Sequence, residues 1–408
     1  MNRKGTMTDA NKFGFLPCAH AKTNALSLQK AINEYETVCV SEPGVYDVSG
    51  TIRLPSDTRL VFSQGVTLRR VPLENRLEEG NLFVNEGAFD GTYNENIRVE
   101  GAHIVVNGVE SAAISSDGDS RDIARTPNAV TGLRGQMAFL YVRRLRINGV
   151  VITDLSSKDY GIQVSDFEDV VIENIHIEGK KDGVHFGPGK SFVLRNARFR
   201  TGDDAIALNC ADYSVSNPNF GSISDGLIEN CVELPGAESS LFIRILAGTA
   251  RDWKKGMEVY HSDAVRTKNG MYRVVMRPDN KKYISETEPC FDETCKELDG
   301  IFWVKTHKGY EAENIPLEAG CRNITFRNIR LENPRELAAL IYMNSDGYLR
   351  SFHHGSAVAQ INNIRFENVQ VLKPLKRFLS VEMPARNIVI EGGNIGGNDV
   401  VIKENNLL

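Results

Sequence analysis

The sequence predicts an all-β chain wound as a parallel β-helix, a solenoid of stacked coils with a short helix capping its N-terminal end. Three observations predict it. First, an apolar–x–Asn–apolar pattern recurs at Ile172-Glu173-Asn174-Ile175, Leu194-Arg195-Asn196-Ala197, Ile228-Glu229-Asn230-Cys231, Phe326-Arg327-Asn328-Ile329 and Phe366-Glu367-Asn368-Val369, with Ile147-Asn148-Gly149-Val150 a looser match whose Asn falls one place early. Second, Asp182 and Asp204, in the acidic turns Lys180-Lys181-Asp182-Gly183 and Thr201-Gly202-Asp203-Asp204, are 22 residues apart, the interval that also separates Asn174 from Asn196. Third, short strands broken by Gly and Pro turns run from Val38 almost to the end. Asn is poor inside ordinary strands. Its regular return is explained by stacked turns whose side-chain amides bond from coil to coil; an antiparallel sandwich would leave the spacing to chance.

A length of 408 residues suggests two or three domains by size alone. A solenoid lengthens by adding coils instead of enlarging one core, so the chain reads as a single β-helix domain over 1–408. Within it, 1–36 form a lead-in and the capping helix. Residues 37–408 form the coils, with insertions near 108–135 and 247–300. The composition, 25% charged and 41% apolar, is that of an ordinary soluble protein. A net charge of −5 disfavours a nucleic-acid partner, which wants a basic face. No run of 18 apolar residues is present, which disfavours a membrane span. The N-terminal residues lack an apolar signal core, and seven scattered cysteines read as mostly reduced thiols; both point to a cytoplasmic protein. Whether the protein is a monomer or a homo-oligomer stays open.

Taken in order, residues 1–20 read as an irregular lead-in. Thr23 to about Tyr35 reads as a helix with Thr23 or Asn24 as its cap and Leu26, Leu28, Ala31 and Ile32 on one broad face. Strands follow at Thr37–Val40, Tyr46–Val48, Leu60–Phe62 and Val66–Leu68. Four later units align as Tyr160–Val164, Asp182–Phe186, Asp204–Leu208 and Leu241–Ile245. Their third and fifth positions, Ile162/Val164, Val184/Phe186, Ile206/Leu208 and Ile243/Ile245, are all apolar and point inward. The fourth, Gln163, His185, Ala207 and Arg244, then points outward by strand alternation. The Asp side chains preceding the two acidic strands are taken as outward too. The two insertions, including the polar run 115–120, are expected to leave on one side and build the walls of a binding face.

With coils about 4.8 Å apart, Asp182 stacks on Asp204 with Asp203 one residue before it. Like charges this close cannot all ionise easily, so at least one carboxyl should hold its proton. An acid beside an ionised partner is what glycoside hydrolysis needs, one for the leaving oxygen and one for water. Asp-Gly is also a common turn dipeptide, and a carboxylate cluster can hold Ca²⁺, so a purely structural or metal role is an alternative at this point. His185 reads as a substrate contact, and Arg244 as a second contact or as the counter-charge of the cluster.

On these motifs the chain resembles glycoside hydrolase family 28, the polygalacturonase family of right-handed parallel β-helices. Asp182 matches the Asp of that family's Asn-x-Asp motif, with Lys180 where Asn is usual. Gly202-Asp203-Asp204 resembles its Gly-Asp-Asp motif, with Ala205 where a Cys is frequent. Where Gly-His-Gly is expected the chain reads Ala237-Glu238-Ser239-Ser240-Leu241. Gly300–Thr306 resembles the Arg-Ile-Lys strand, with Trp303 in the Arg position and Lys305 retained; Asn269–Val275 is a competing match that keeps an Arg at 273. The resemblance implies an inverting hydrolase with Asp203 as general acid and Asp182 and Asp204 activating water. It implies no metal and no cofactor, and a pectin-like or other polysaccharide, or oligosaccharides from it, as substrate. Tyr160, Gln163, His185, Arg244, Trp303 and Lys305 are the candidate substrate-binding residues. A β-helical polysaccharide lyase and a non-catalytic carbohydrate-binding β-helix are the alternatives.

Overall fold

The computed structural model describes residues 3–75, 78–111, 121–126, 129–238, 241–276, 281–343, 358–395 and 399–402. The chain is a right-handed parallel β-helix whose strands stack in three parallel columns. One column runs through Tyr160–Glu173 (its first half), Val184–Phe186, Ile206–Asn209, Ile243–Leu246, Arg335–Tyr342 and Leu375–Glu382. The second half of Tyr160–Glu173 begins another column, continued by Gly189–Arg195, Ile223–Glu233, Cys321–Leu331 and Ile361–Val371. Val151–Leu155, His176–Gly179 and Arg198–Thr201 build the third.

The predicted register holds. Gln163 pairs with His185, His185 with Ala207, and Ala207 with Arg244. All eight predicted inward residues, Ile162 to Ile245, are buried in one continuous apolar core. The alternation works because every coil presents the same two apolar positions to the interior, so each new coil covers its neighbour's apolar edge.

The N-terminal end departs from expectation. The helix spans Ala21–Glu34, and His20 is its cap, accepting from the Lys22 N–H at 3.3 Å. Asn24 is not a cap; its buried amide donates to the carbonyls of Leu16 and Asp47, both at 3.0 Å, tying the helix to the first coil. Leu28, Ala31 and Ile32 enter the core, whereas Leu26 lies on the opposite side, 64% exposed. Residues Lys4–Asp9 are not irregular. They form a strand pairing in parallel with Tyr35–Val40, so a strand as well as the helix covers the first coil. Its inner side is nearly free of apolar residues, which is why no pattern betrayed it.

The Asn ladder is continuous over six coils. Asn174 donates to Asn148 at 2.8 Å, Asn196 to Asn174 at 3.0 Å, Asn230 to Asn196 at 3.1 Å, Asn328 to Asn230 at 2.9 Å and Asn368 to Asn328 at 2.7 Å. Asn174, Asn196, Asn230, Asn328 and Asn368 adopt φ between 53° and 56°, the left-handed region that Asn tolerates better than other non-Gly residues. In the looser first unit Gly149, φ 67°, takes that conformation. A second ladder, Asp225–Asn323–Asn363–Asn387, runs parallel to it and was not anticipated. Asn196→Ala should cost about 1–2 kcal/mol, through the strained backbone and two lost bonds. Asn196→Gly, which relieves the strain, should cost distinctly less. Urea unfolding of the two variants tests this; equal losses would assign the whole effect to the hydrogen bonds.

The predicted insertion near 247–300 is a five-stranded sheet of Arg251–Asp252, Ala264–Thr267, Gly270–Val274, Ile301–Thr306 and Cys295–Leu298. It has its own apolar cluster around Val265, Tyr272, Val274, Ile301 and Trp303. Of the other insertion, 112–120, with the polar run 115–120, lie outside the described residues.

Candidate active site

The acidic turns meet because glycine lets the coils approach. A Cβ on Gly183 would lie 2.5 Å from the Ala205 carbonyl oxygen, and one on Gly202 would lie 2.7 Å from the Lys180 carbonyl oxygen. Any larger residue would push the coils apart at this point. The Gly183 N–H donates to the Asp204 carbonyl at 3.0 Å, which fixes Asp182 directly over Asp204. Oxygens of Asp182, Asp203 and Asp204 lie within 4.8 Å of one another.

The three carboxyls differ sharply in environment. Asp182 and Asp204 are buried, whereas the Asp203 side chain is 28% exposed and ion-paired to Lys181. Burial pushes the Asp182 pKa up, but Lys181, a 2.9 Å hydrogen bond from His185 Nδ1 and the more distant Arg244 outweigh it and hold the group at about 2. Burial pushes Asp204 up as well; Arg244, 3.1 Å away, opposes this, the Asp182 charge reinforces it, and the pKa settles at about 6. Between these two values Asp204 keeps a proton that Asp182 has lost. The same three carboxylates could converge on a cation, but Lys181 and Arg244 already supply positive charge there.

His185, Arg244 and Tyr160 join the cluster as predicted, but not on an open face. The His185 ring is fully buried, stacked on Tyr160 with centroids 4.2 Å apart and planes 9° from parallel. The Arg134 guanidinium lies 4.6 Å from the Tyr160 ring centre. Gln163 is no substrate contact. Its amide accepts from the Arg134 and Gly135 N–H groups and donates to the carbonyls of Gly132, at 3.0 Å, and Ser216, at 2.9 Å. Segments around 132–135 and 212–217 thus roof this part of the outward column, and Gln163 pins the roof.

Two site residues were missed. Lys181 lies 22 residues before Asp203, so the repeat interval alone would have stacked one on the other. Asp212, buried in the roof, faces His185 Nε2 at 3.8 Å and Arg244 at 3.9 Å and accepts from Asn209 at 2.5 Å. It sits in an aperiodic segment that offered no spacing to read. Asp182 Oδ1 and His185 Nε2 are buried without a hydrogen-bond partner, leaving an acceptor and a ring nitrogen for a substrate hydroxyl or a nucleophilic water. An open cleft of about 520 Å³ abuts the acidic turns, bordered by Lys180, Thr201 and Gly202.

Trp303 and Lys305 do not belong here. Both lie on Ile301–Thr306 of the inserted sheet, which pairs antiparallel with Gly270–Val274, so neither competing match to the Arg-Ile-Lys strand is a coil. Trp303 is fully buried in the insertion's own cluster and has no face for a sugar. Lys305 pairs with Asp292 at 3.1 Å. Arg273 is buried and donates to the carbonyls of Asn217, at 2.7 Å, and of Asp212, which holds the roof in place. The strand after Ile243–Leu246 in the column is Arg335–Tyr342, with Leu340 beside Arg244. Of the stretch replacing Gly-His-Gly, Ser239 and Ser240 lie outside the described residues.

No protein-family model matches the chain, and no curated protein sequence matches it. Among solved structures, it is similar to the family 28 exopolygalacturonase of Yersinia enterocolitica, at 16% identity over 97% of this chain and 79% of the other, with a TM-score of 0.46. It is similar to the hyperthermoactive exopolygalacturonase of Thermotoga maritima, at 13% identity over 98% and 93%, with a TM-score of 0.48. It is also similar to the surface adhesin PfbA of Streptococcus pneumoniae, at 14% identity over 97% and 93%, with a TM-score of 0.44.

Proposed function

We propose that the chain is a glycoside hydrolase acting on a pectin-like or other acidic plant polysaccharide, or on its oligosaccharides, through Asp203, Asp182 and Asp204. The observation that carries this reading is the convergence of Asp182, Asp203 and Asp204, with carboxyl oxygens within 4.8 Å, in surroundings where burial raises Asp204 while Lys181 and His185 hold Asp182 down. Asp182 and Asp204 titrate as a coupled pair. Asp203, the member that solvent reaches, delivers the proton to the leaving oxygen with the raised Asp204 beside it, while ionised Asp182, whose Oδ1 makes no hydrogen bond, orients water. His185 and Arg244 keep the two buried carboxyls in place, and Arg244, whose side chain is partly exposed, contacts the sugar.

The sign of the pH dependence follows. Hydrolysis needs the cluster proton, which leaves as pH rises through about 6. Asp182 stays ionised down to about pH 2, so no acidic limb intrudes above that. The maximal rate should be steady below pH 6 and fall roughly tenfold per unit above it; a rate flat to pH 8 contradicts this use of the proton.

The test of the reading is reducing-end release from a panel of pectic and neutral plant oligosaccharides. Release confined to no member of the panel, with saturable glycan binding, would make this a binding β-helix. An ultraviolet-absorbing unsaturated product, lost on chelation, would make it a lyase. The resemblance to family 28 implies inversion. Proton NMR of the anomer first formed checks this; net retention contradicts it.

A further inference from the structure

Both insertions were expected to build the walls of a binding face; at the carboxylate cluster they build the roof instead. The one near 108–135 reaches it through Arg134, whose guanidinium donates to the Ser216 hydroxyl at 2.9 Å. The one near 247–300 reaches it through Arg273, which donates to the Asp212 carbonyl. The roof residue aimed at the cluster is Asp212. Its side chain is buried, so its charge is costly there unless neighbours answer it.

The partners of Asp212 fix its direction. One oxygen accepts from the Asn209 amide at 2.5 Å and the other from the Tyr213 N–H at 2.8 Å. Asn209 ends the strand Ile206–Asn209, which follows Asp204 directly in the chain after Ala205, so one short stretch sets both carboxyls. Held this way, Asp212 faces His185 Nε2 at 3.8 Å and the Arg244 guanidinium at 3.9 Å, both beyond hydrogen-bond reach. Arg244 leans towards Asp204, at 3.1 Å.

The charges around Asp204 can be assigned in turn. On the coil before it, Lys181 answers Asp182, at 3.5 Å, and Asp203, and His185 donates to Asp182. On the coil after it stands Arg244, and one coil further Tyr342, whose phenol burial pushes up to about 12. The Tyr213 phenol also faces Arg244 from the roof. Arg244 is therefore left to serve both Asp204 and Asp212, and one cation does not fully neutralise two buried carboxyls.

We propose that Asp212 is a positioning residue of the carboxylate cluster: from the roof it divides Arg244 between itself and Asp204, and so leaves Asp204 as the group that stores the proton Asp203 delivers. The use of that proton rests on the hydrolase reading; the link between Asp212 and Asp204 is electrostatic and can be read without turnover. Replacing the Asp212 carboxyl by an amide removes a like charge and hands Arg244 to Asp204 alone. Both changes favour ionised Asp204. The amide also fits, because Asn209 Oδ1 is buried without a partner and the Asn209 amide can turn over to accept from the new NH₂.

The test is Asp212→Asn in the full chain, read in two ways. The Asp204 carboxyl is titrated by ¹³C NMR of aspartate-labelled protein, its resonance assigned by its loss in Asp204→Asn. The midpoint, about 6 in the wild type, should fall by at least about half a pH unit. On the oligosaccharide that the panel identifies, the ratio of the rate at pH 5 to that at pH 7 should rise at least about twofold. An Asp212 that served only the fold would lower the rate alike at both pH values and leave the midpoint in place. Thermal melting checks that the variant is folded; should Asp212→Asn fail to fold, Asp212→Ser, whose hydroxyl can still accept the Tyr213 N–H, takes its place. The proposal is overturned by a midpoint that stays or rises in the folded variant, or by a lowered midpoint with an unchanged rate ratio. Failure to cleave any member of the panel sinks the hydrolase reading alone, because the NMR midpoint still decides whether Asp212 governs Asp204.

Discussion

Asp203→Asn should abolish hydrolysis, lowering the maximal rate by about 10²–10⁴-fold, while the melting temperature changes little. The asymmetry comes from position. Asp203 is the one carboxyl of the cluster that solvent reaches, and its partner Lys181 is itself largely covered and lies 3.5 Å from Asp182. An amide of the same shape keeps the turn Gly202-Asp203-Asp204 and its coil contacts, and Lys181 retains the Asp182 charge. Asp182→Asn is the contrast. It removes a buried ionised group that accepts from His185 and answers Lys181, so it should lose stability as well as rate. A folded Asp203→Asn protein with wild-type turnover would overturn the mechanism. A variant inactive only because it is unfolded would be exposed by the melt.

The parts of this molecule that were legible in the sequence are those where chemistry repeats. The 22-residue interval fixes the register of Val184–Phe186 on Ile206–Asn209, and the ladder Asn repeats because each left-handed turn needs a residue that tolerates that conformation and can bond both ways along the stack. Asp182, Asp204 and His185 come together for the same reason, one column read at one interval; Arg244 joins the same column across a longer coil, 37 residues after Ala207. The roof was not legible. Asp212, Arg134 and Arg273 act through aperiodic long-range contacts to backbone carbonyls or buried charges, and such contacts leave no periodicity. Trp303 and Lys305 were misplaced because Ile301–Thr306 has the same alternation as a coil strand, although it pairs antiparallel inside the insertion. Alternation reports that one face is buried, not what it is buried against. His185 and Gln163 were placed on the correct side of the sheet and still misjudged, because outward in a solenoid means solvent only where no insertion folds back.

The roof also makes the cluster a store of electrostatic energy, and Arg244 is where that energy is held. Its guanidinium is largely covered, bonds Asp204 at 3.1 Å, lies 3.9 Å from Asp212 and sits 5.7 Å from the Tyr342 ring centre. Arg244→Met keeps the length and apolar bulk of the side chain but leaves Asp204 and Asp212 without their cation. Removing one partner of a buried ion pair costs about 3–5 kcal/mol, so a large fall in the unfolding free energy is expected at pH 8. The loss should shrink at pH 5. Without Arg244 the Asp204 pKa, already raised above its unfolded value, rises further, and the folded state then takes up a proton that the unfolded chain does not. Stability tied to such a raised carboxyl is present at low pH and lost as pH climbs through the folded pKa, so the gap between wild type and variant must widen from pH 5 to pH 8. Adding Asp204→Asn to Arg244→Met should close much of the gap at pH 8, because the stranded charge is gone. A gap equal at both pH values, or a double variant no more stable than the single, would mean that Arg244 works by packing against Tyr342 and not by neutralising the cluster.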